Sequence, residues 1–196
     1  MPTDMPGIAT APASRVPAMA SIAAQAFSAD PMITWPFHDH HVLARGEPLF
    51  EALFTEYQRR DMLWETEDGA GTAAWIPPGS DVGIEQVNVA TWPVIPPLTD
   101  DGGARYQAFW NWLDDHVPDE PHWMLDIVAV DPARQGRGTG TWLIRHGLAL
   151  EDRDDVPAFL ETGNPRNVPY YERLGFRVAE EDDAPDGGPH RWFMLR

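Results

Sequence analysis

No cysteine occurs among the 196 residues of the chain. Cysteine nucleophiles, thiolate zinc sites and iron–sulfur clusters are therefore excluded. Lysine is absent too: all 14 basic residues are arginine. That excludes Schiff-base catalysis and lysine anchoring of pyridoxal phosphate. Cations are scarce overall, 14 against 31 Asp and Glu, for a formal net charge of −17. Nucleic acids and anionic membrane surfaces both attract clustered cations, so neither is expected as a partner. No apolar run approaches the ~18 residues of a spanning helix, and no charged-then-apolar start reads as a signal peptide. The expected location is cytoplasmic. With 43% hydrophobic residues, a chain of this length buries a core without disulfides or structural metal, and residues 1–196 read as one domain.

Hydrophobic spacing outlines the elements. A Pro- and Ala-rich arm with a short strand near Ile8 precedes Ser14, a candidate cap for a helix carrying Val16, Met19, Ile22, Ala23, Ala26 and Phe27. Asp30 to His41 reads as a loop rich in proline and aromatics. A second helix runs through Leu49, Phe50, Leu53, Phe54 and Tyr57. Met62 to Glu67 and Gly71 to Ile76 read as a hairpin turning at Asp68-Gly69. Residues 80–103 give no firm pattern, and residues 104–117 read as a helix on Tyr106, Trp110, Leu113 and Val117.

The C-terminal third is clearer. Met124 to Val130 is an apolar strand interrupted by one acid, Asp126. A glycine-rich loop follows, then a helix from about Trp142 to Glu151, a strand Ala158 to Thr162, a short helix capped by Asn167 and ended by Gly175, and closing strands Phe176 to Ala179 and Arg191 to Leu195. The alternation implies a parallel crossover inside a hairpin-built sheet, hence an α/β domain.

The segment Arg134-Gln135-Gly136-Arg137-Gly138-Thr139-Gly140-Thr141 carries the chemistry. Glycines let the backbone approach a ligand, and free N–H groups at a helix start attract anions. Two arginines add positive charge in an acidic chain, so the local physics says phosphate. A Walker A loop fails for want of lysine. A dinucleotide fingerprint fails because Thr141 stands where the third glycine belongs. What remains is a Gln-Gly-x-Gly-x-Gly loop or a plain glycine-rich turn.

Val130-Asp131-Pro132 leading into this loop, with Pro169-Tyr170-Tyr171-Glu172-Arg173-Leu174-Gly175-Phe176 downstream, resembles the GNAT family of N-acetyltransferases. Within it, Val156 to Thr162, Pro165-Arg166-Asn167 and the Gly188-Pro189-x-Arg191-Trp192 ending most resemble the puromycin N-acetyltransferases. The resemblance implies the GNAT (acyl-CoA N-acyltransferase) fold: a central mixed, mostly antiparallel sheet flanked by helices, with an extra helix between the third and fourth strands. It implies acetyl-CoA as the acyl donor. Strand groups of Val128 and Val130, the loop residues 134–141, Asn167 and Tyr171 would contact it. The implied acceptor is a small-molecule amine, including an aminonucleoside or other amine antibiotic, and the implied assembly is a monomer or homodimer.

The resemblance also implies direct attack of an amine on the acetyl thioester. That needs a neutral amine, an oxyanion donor and a proton for the leaving thiolate. Tyr171 occupies the family's proton-donor position, while Tyr170 suits packing. Glu161 and Asp126 are the candidate bases, each a lone acid in an apolar strand, where a carboxylate is costly unless paired or functional. The alternative for such an acid is an ion pair with an arginine such as Arg166 or Arg191. Trp35, Trp75, Tyr106 and Trp110 are candidates to line an aromatic acceptor pocket, or else core. The cluster His38-Asp39-His40-His41 lacks a further ligand at helical spacing and reads as a loop, so no metal site is expected. Glu180 to Asp183 reads as a solvated hairpin loop, with steering of a cationic amine as its other reading. Two rival functions stay open: acetylation of a peptide N-terminus or protein lysine, and a non-catalytic acyl-CoA-binding regulatory module.

Overall fold

A computed structural model describes residues 5–37, 42–80 and 89–196; of residues 36, 37 and 42–45 it describes only the backbone. Seven strands form one sheet: β1 (Ile8–Thr10), β2 (Leu63–Thr66), β3 (Gly71–Ile76), β4 (Trp123–Val130), β5 (Ala158–Thr162), β6 (Arg177–Asp183) and β7 (His190–Leu195). Their order is β1-β2-β3-β4-β5-β7-β6. Among the described residues β4 and β5 are the parallel pair, and the remaining neighbours run antiparallel. The helices are α1 (Val16–Ala26), α2 (Pro31–Phe37), α3 (Val42–Gln58), α4 (Ile95–Leu98), α5 (Ala104–Asp114), α6 (Thr139–Asp154) and α7 (Val168–Glu172). Helices α4 and α5 supply the extra helical segment expected between the third and fourth strands. This is the GNAT fold. No helix among the described residues is long and apolar enough to cross a membrane.

Two apolar layers sandwich the sheet. Helices α1 to α5 pack one face through residues such as Met19, Phe50, Phe54, Phe109 and Leu113. Helices α6 and α7 cover the other through Leu143, Ile144, Leu148 and Tyr171, against Trp75, Leu160 and Met194. Fixed clasps tie α6 to the sheet's end: Trp123 donates its indole N–H to Asp154 at 2.9 Å, and Arg196 pairs with Glu151 and Asp152.

Several expected boundaries move, each for a local reason. Ser14 is no cap: it sits in a 3-10 turn over Ala13–Arg15, and α1 begins at Val16 with proline in its first turn and no side-chain cap. The expected loop from Asp30 onward is helical over Pro31–Phe37, because Asp30 caps it. Its carboxylate accepts the Met32 N–H at 2.9 Å and its carbonyl the Thr34 N–H, with proline pre-set at the first helical position. Helix α6 starts at Thr139, three residues before Trp142. Glu180 to Asp183 is strand, not loop. An outermost strand pairs through its backbone on one side and shows no hydrophobic alternation when both faces meet water.

Two backbone irregularities shape the middle of the sheet. Trp75 pairs with Leu125 and Ala74 with Ile127, so Asp126 is an extra residue on β4, a β-bulge. The bulge turns Asp126 and Ile127 toward the same helical layer, which strict alternation would forbid. Then β4 and β5 pair only at Trp123–Ala158 and Met124–Phe159. Beyond that point they diverge.

Gly147 shows how closely the second layer packs. It lies mid-helix in α6, where alanine is ordinarily better by about 1 kcal/mol, yet a Cβ there would run into the fully buried indole of Trp75. Gly147→Ala is expected to lower stability by about 1–3 kcal/mol through overpacking, read from urea unfolding; a stabilised variant would refute the packing argument.

Candidate active site

The divergence of β4 and β5 opens a cleft of about 650 Å³. Leu125, Asp126, Val128 and Val130 of β4 form one wall and Glu161 and Thr162 of β5 the other. One end is closed by Ala26, Phe27 and Met32 around the α1–α2 junction, the other by the glycine loop with Asn167, Tyr170 and Tyr171. Backbone groups on the β5-facing edge of β4 lack a strand partner beyond Met124, so the cleft offers main-chain hydrogen-bonding capacity that a sheet normally consumes.

The glycine loop is built for close approach. Gly136 (φ 74°) and Gly138 (φ 91°) are both left-handed, where other residues are strained, and open space lies beside each. The first helical bond of α6 runs from the Trp142 N–H to the Gly138 carbonyl at 2.9 Å. The amides of Thr139, Gly140 and Thr141 therefore have no acceptor within the helix and sit at its positive end. Gly136, Gly138, Thr139, Gly140 and Thr141 all face the cleft. The two arginines do not join them. Arg134 is turned away to the β2–β3 hairpin, pairing with the Asp68 carboxylate and donating to its carbonyl at 3.1 Å. Arg137 is exposed and off the cleft wall. Gln135 lines the cleft and donates to the Val130 carbonyl at 3.1 Å. Asn167 does not cap α7 with its side chain, which donates to Thr162 Oγ1 at 3.1 Å and so braces the α7 start against β5.

The candidate acids and Tyr171 meet in the cleft in unequal states. Tyr171 is buried, and burial raises its pKa above the ordinary phenol value, so it stays protonated at neutral pH. Its hydroxyl has no hydrogen-bond partner among the described residues, whereas the Tyr170 hydroxyl contacts Thr141 Oγ1 at 3.2 Å. Glu161 forms an ion pair with Arg191, a guanidinium only 2% exposed, which also lies 3.8 Å from Asp30. Protonating Glu161 would leave this buried cation to Asp30 alone, at the longer distance, so the pair is poorly placed to take a proton. Among the described residues no cation pairs with Asp126. Tyr57 on α3 donates to its Oδ2 at 2.7 Å, and burial pushes the carboxyl up to about 6, the hydrogen bond opposing.

The four aromatic candidates separate. Tyr106 and Trp110 line a small inner cavity beside Asp126 and Glu161. Trp75 is buried on the opposite layer against α6 and does not reach the cleft. Trp35 packs on Phe109 and under the Arg105 guanidinium, away from the described cavities. The His38–His41 cluster lies outside the described residues, among which no group of acids and histidines could hold a metal. Sequence reasoning missed Tyr57 as a site residue, having placed it only as an apolar helix position. The signal was a phenol at a core position, which needs a partner, set against a lone strand acid, which needs one too.

Residues 101–176, from α5 through the loop to the end of the Tyr-bearing element, match the acetyltransferase (GNAT) family model. An uncharacterized N-acetyltransferase of Schizosaccharomyces pombe is 27% identical over 137 residues, covering 65% of this chain and 56% of that protein. The mycothiol acetyltransferase of Mycobacteroides abscessus is 39% identical over 77 residues, 38% of this chain and 26% of its own. The chain thus spans about half or less of the length of these curated relatives. Among solved structures, the Corynebacterium glutamicum histone acetyltransferase HPA2 and related acetyltransferase superposes with a TM-score of 0.71 at 24% identity, covering 98% of this chain and 96% of that one. The Aedes aegypti arylalkylamine N-acetyltransferase 2 gives 0.65 at 14%, covering 97% of each.

Arg191 is the member of this site whose loss is most costly. Arg191→Met is expected to destabilise the fold by about 3–5 kcal/mol, since it strands Glu161 and Asp30, measured by chemical denaturation. Glu161→Gln should cost less, because Asp30 still faces the guanidinium; equal costs would contradict this ordering.

Proposed function

We propose that the protein is an acetyl-CoA-dependent N-acetyltransferase acting on a small amine. The observation that carries this reading is the cleft itself: unpaired β4 edge, glycine loop and Tyr171 converge on one open volume at the split in the sheet. The diphosphate of the donor would lie on the Thr139, Gly140 and Thr141 amides, and the pantetheine arm along Val128 and Val130. The acyl group would then sit between Asp126 and Tyr171.

The chemistry follows from the states of these groups. An alkyl ammonium has a pKa of about 10.4 and must lose a proton before it can attack. Asp126, ionised above about pH 6, takes that proton as general base, with Tyr57 holding the carboxylate in place. The amine nitrogen bonds to the thioester carbonyl carbon, the carbon–sulfur bond breaks, and Tyr171 delivers a proton to the leaving thiolate. Glu161 serves in this scheme by holding Arg191, and Tyr106 and Trp110 shape the space behind Asp126. The resemblance to puromycin N-acetyltransferases lies in segments around β5, α7 and β7, so an aminonucleoside or other amine antibiotic remains the finer proposal for the acceptor.

Release of coenzyme A thiol in the presence of acetyl-CoA and an amine library that includes puromycin tests the activity. No thiol release with any amine, together with tight acetyl-CoA binding, would favour a regulatory acyl-CoA module instead. Gly138→Asp places a carboxylate on the loop and is expected to abolish acetyl-CoA binding by calorimetry; unchanged affinity would remove the loop assignment. Asp126→Asn is expected to lower kcat by about 10²-fold or more and to remove the rise of kcat/KM through pH ~6 that the parent is expected to show. Tyr171→Phe should lower kcat with little change in the acetyl-CoA KM; an unaltered rate from about pH 6 to 9 would exclude it as the acid.

A further inference from the structure

Asp126 faces more than the donor cleft. A second cavity of about 300 Å³ reaches it from the other direction, between the Ile76–Ser80 end of β3 and the chain from the end of α5 to the start of β4. Its inner wall is apolar and aromatic: Tyr57, Trp110, Ile76 and Met124. Three carboxylates, Asp114, Asp119 and Glu120, stand at its exposed rim, and no arginine lines it. Trp110, 7% exposed, lays its indole against the floor of this cavity. Asp126 accepts from Tyr57 on Oδ2, while Oδ1 carries no hydrogen bond among the described residues. The two cavities therefore share a wall and differ in sign. One gathers backbone amides at a helix start; the other gathers carboxylates over an aromatic floor.

We propose that this second cavity is the acceptor pocket, and that it takes a cationic primary amine carried on a flat apolar body. The proposal rests on the acetyltransferase reading and adds the acceptor's class and its route. Donor and acceptor would approach the bulge from opposite sides, so the acceptor never threads past the bound coenzyme. The ammonium enters as a cation, attracted by the rim and stacked by Trp110 and Tyr57. At the bulge it gives one proton to Asp126, so that an ammonium and a carboxylate become an amine and a carboxylic acid. The amine then attacks the thioester carbon beside Asp126, the residue that both cavities reach; the carbon–sulfur bond breaks, Tyr171 gives its proton to the thiolate, and the Asp126 proton returns to solvent through the acidic cavity.

The test uses phenethylamine as the cationic probe and 2-phenylethanol as its neutral counterpart, titrated calorimetrically at low ionic strength into the coenzyme A complex. The rim variant Asp114→Asn/Asp119→Asn/Glu120→Gln is expected to weaken phenethylamine about tenfold. A control removing three charges from β6, Glu180→Gln/Glu181→Gln/Asp183→Asn, should leave it within twofold. Equal weakening in both variants, 2-phenylethanol binding as tightly as phenethylamine, or no binding of phenethylamine to the parent chain would each overturn the acceptor pocket. Coenzyme A titrated into the same proteins separates the two levels. If it binds and phenethylamine is acetylated without regard to the rim, only the pocket falls; if it does not bind the parent chain, the enzymatic reading falls.

Discussion

Everything at this site depends on where two parallel strands stop pairing. After two residue pairs β4 and β5 part, and a sheet that would be a closed wall becomes a slot joining its two faces. Backbone groups along β4 that would have been consumed by a neighbour are left to a ligand. The bulge at Asp126 sits two residues beyond the last pair, where the strand has lost a neighbour on one side and kinks on the other. Slot and bulge together bring a carboxylate, an unpaired strand edge and a helix start within one cleft, without any of them leaving the rigid sheet–helix framework.

The charges in the slot are arranged with different degrees of freedom. Glu161, Arg191 and Asp30 form a buried set whose members compensate one another, and which also fastens the α1–α2 junction to β5 and β7. Such a set fixes geometry rather than supplying protons, because a change in any member exposes the others to an apolar medium. Asp126 is held by a neutral phenol instead. A phenol orients a carboxylate without locking its charge, which leaves its protonation responsive to what arrives beside it.

Much of this was readable from the residues, and the pattern of success has physical causes. The glycine loop, β4, β5 and the α7 turn were legible because each combines local backbone requirements with hydrophobic period in the same short window. Helix α2 was hidden because its apolar content is aromatic and interrupted by proline, and only the Asp30 cap and Pro31 marked its start. Strand β6 was hidden because an outermost strand exposed on both faces has no alternation to detect. The role of Glu161 turned on which arginine reached it: the sequence allowed Arg166 or Arg191, and only the pairing of β5 with β7 brings Arg191 there. Arg134 went the other way. Its place in the loop suggested phosphate, but hairpin packing set Asp68 within reach. Trp75 and Trp110 both looked aromatic and ambiguous; which layer each entered was decided by strand and helix orientation, not by composition.

The outermost strand has a consequence for how molecules of this protein meet. One side of β6 carries an open row of amide donors and carbonyl acceptors, the feature by which sheets recruit strands from other chains. Acidic side chains at four consecutive positions, Glu180 to Asp183, place negative charge above and below that row. Two copies aligned rim to rim would bring like charges into register at every step. His116 and His190 neighbour these acids. The border of the sheet is thus guarded by repulsion at neutral pH, and sheet extension into a fibre or an accidental dimer is discouraged by the same surplus of carboxylates that gives the whole chain its character.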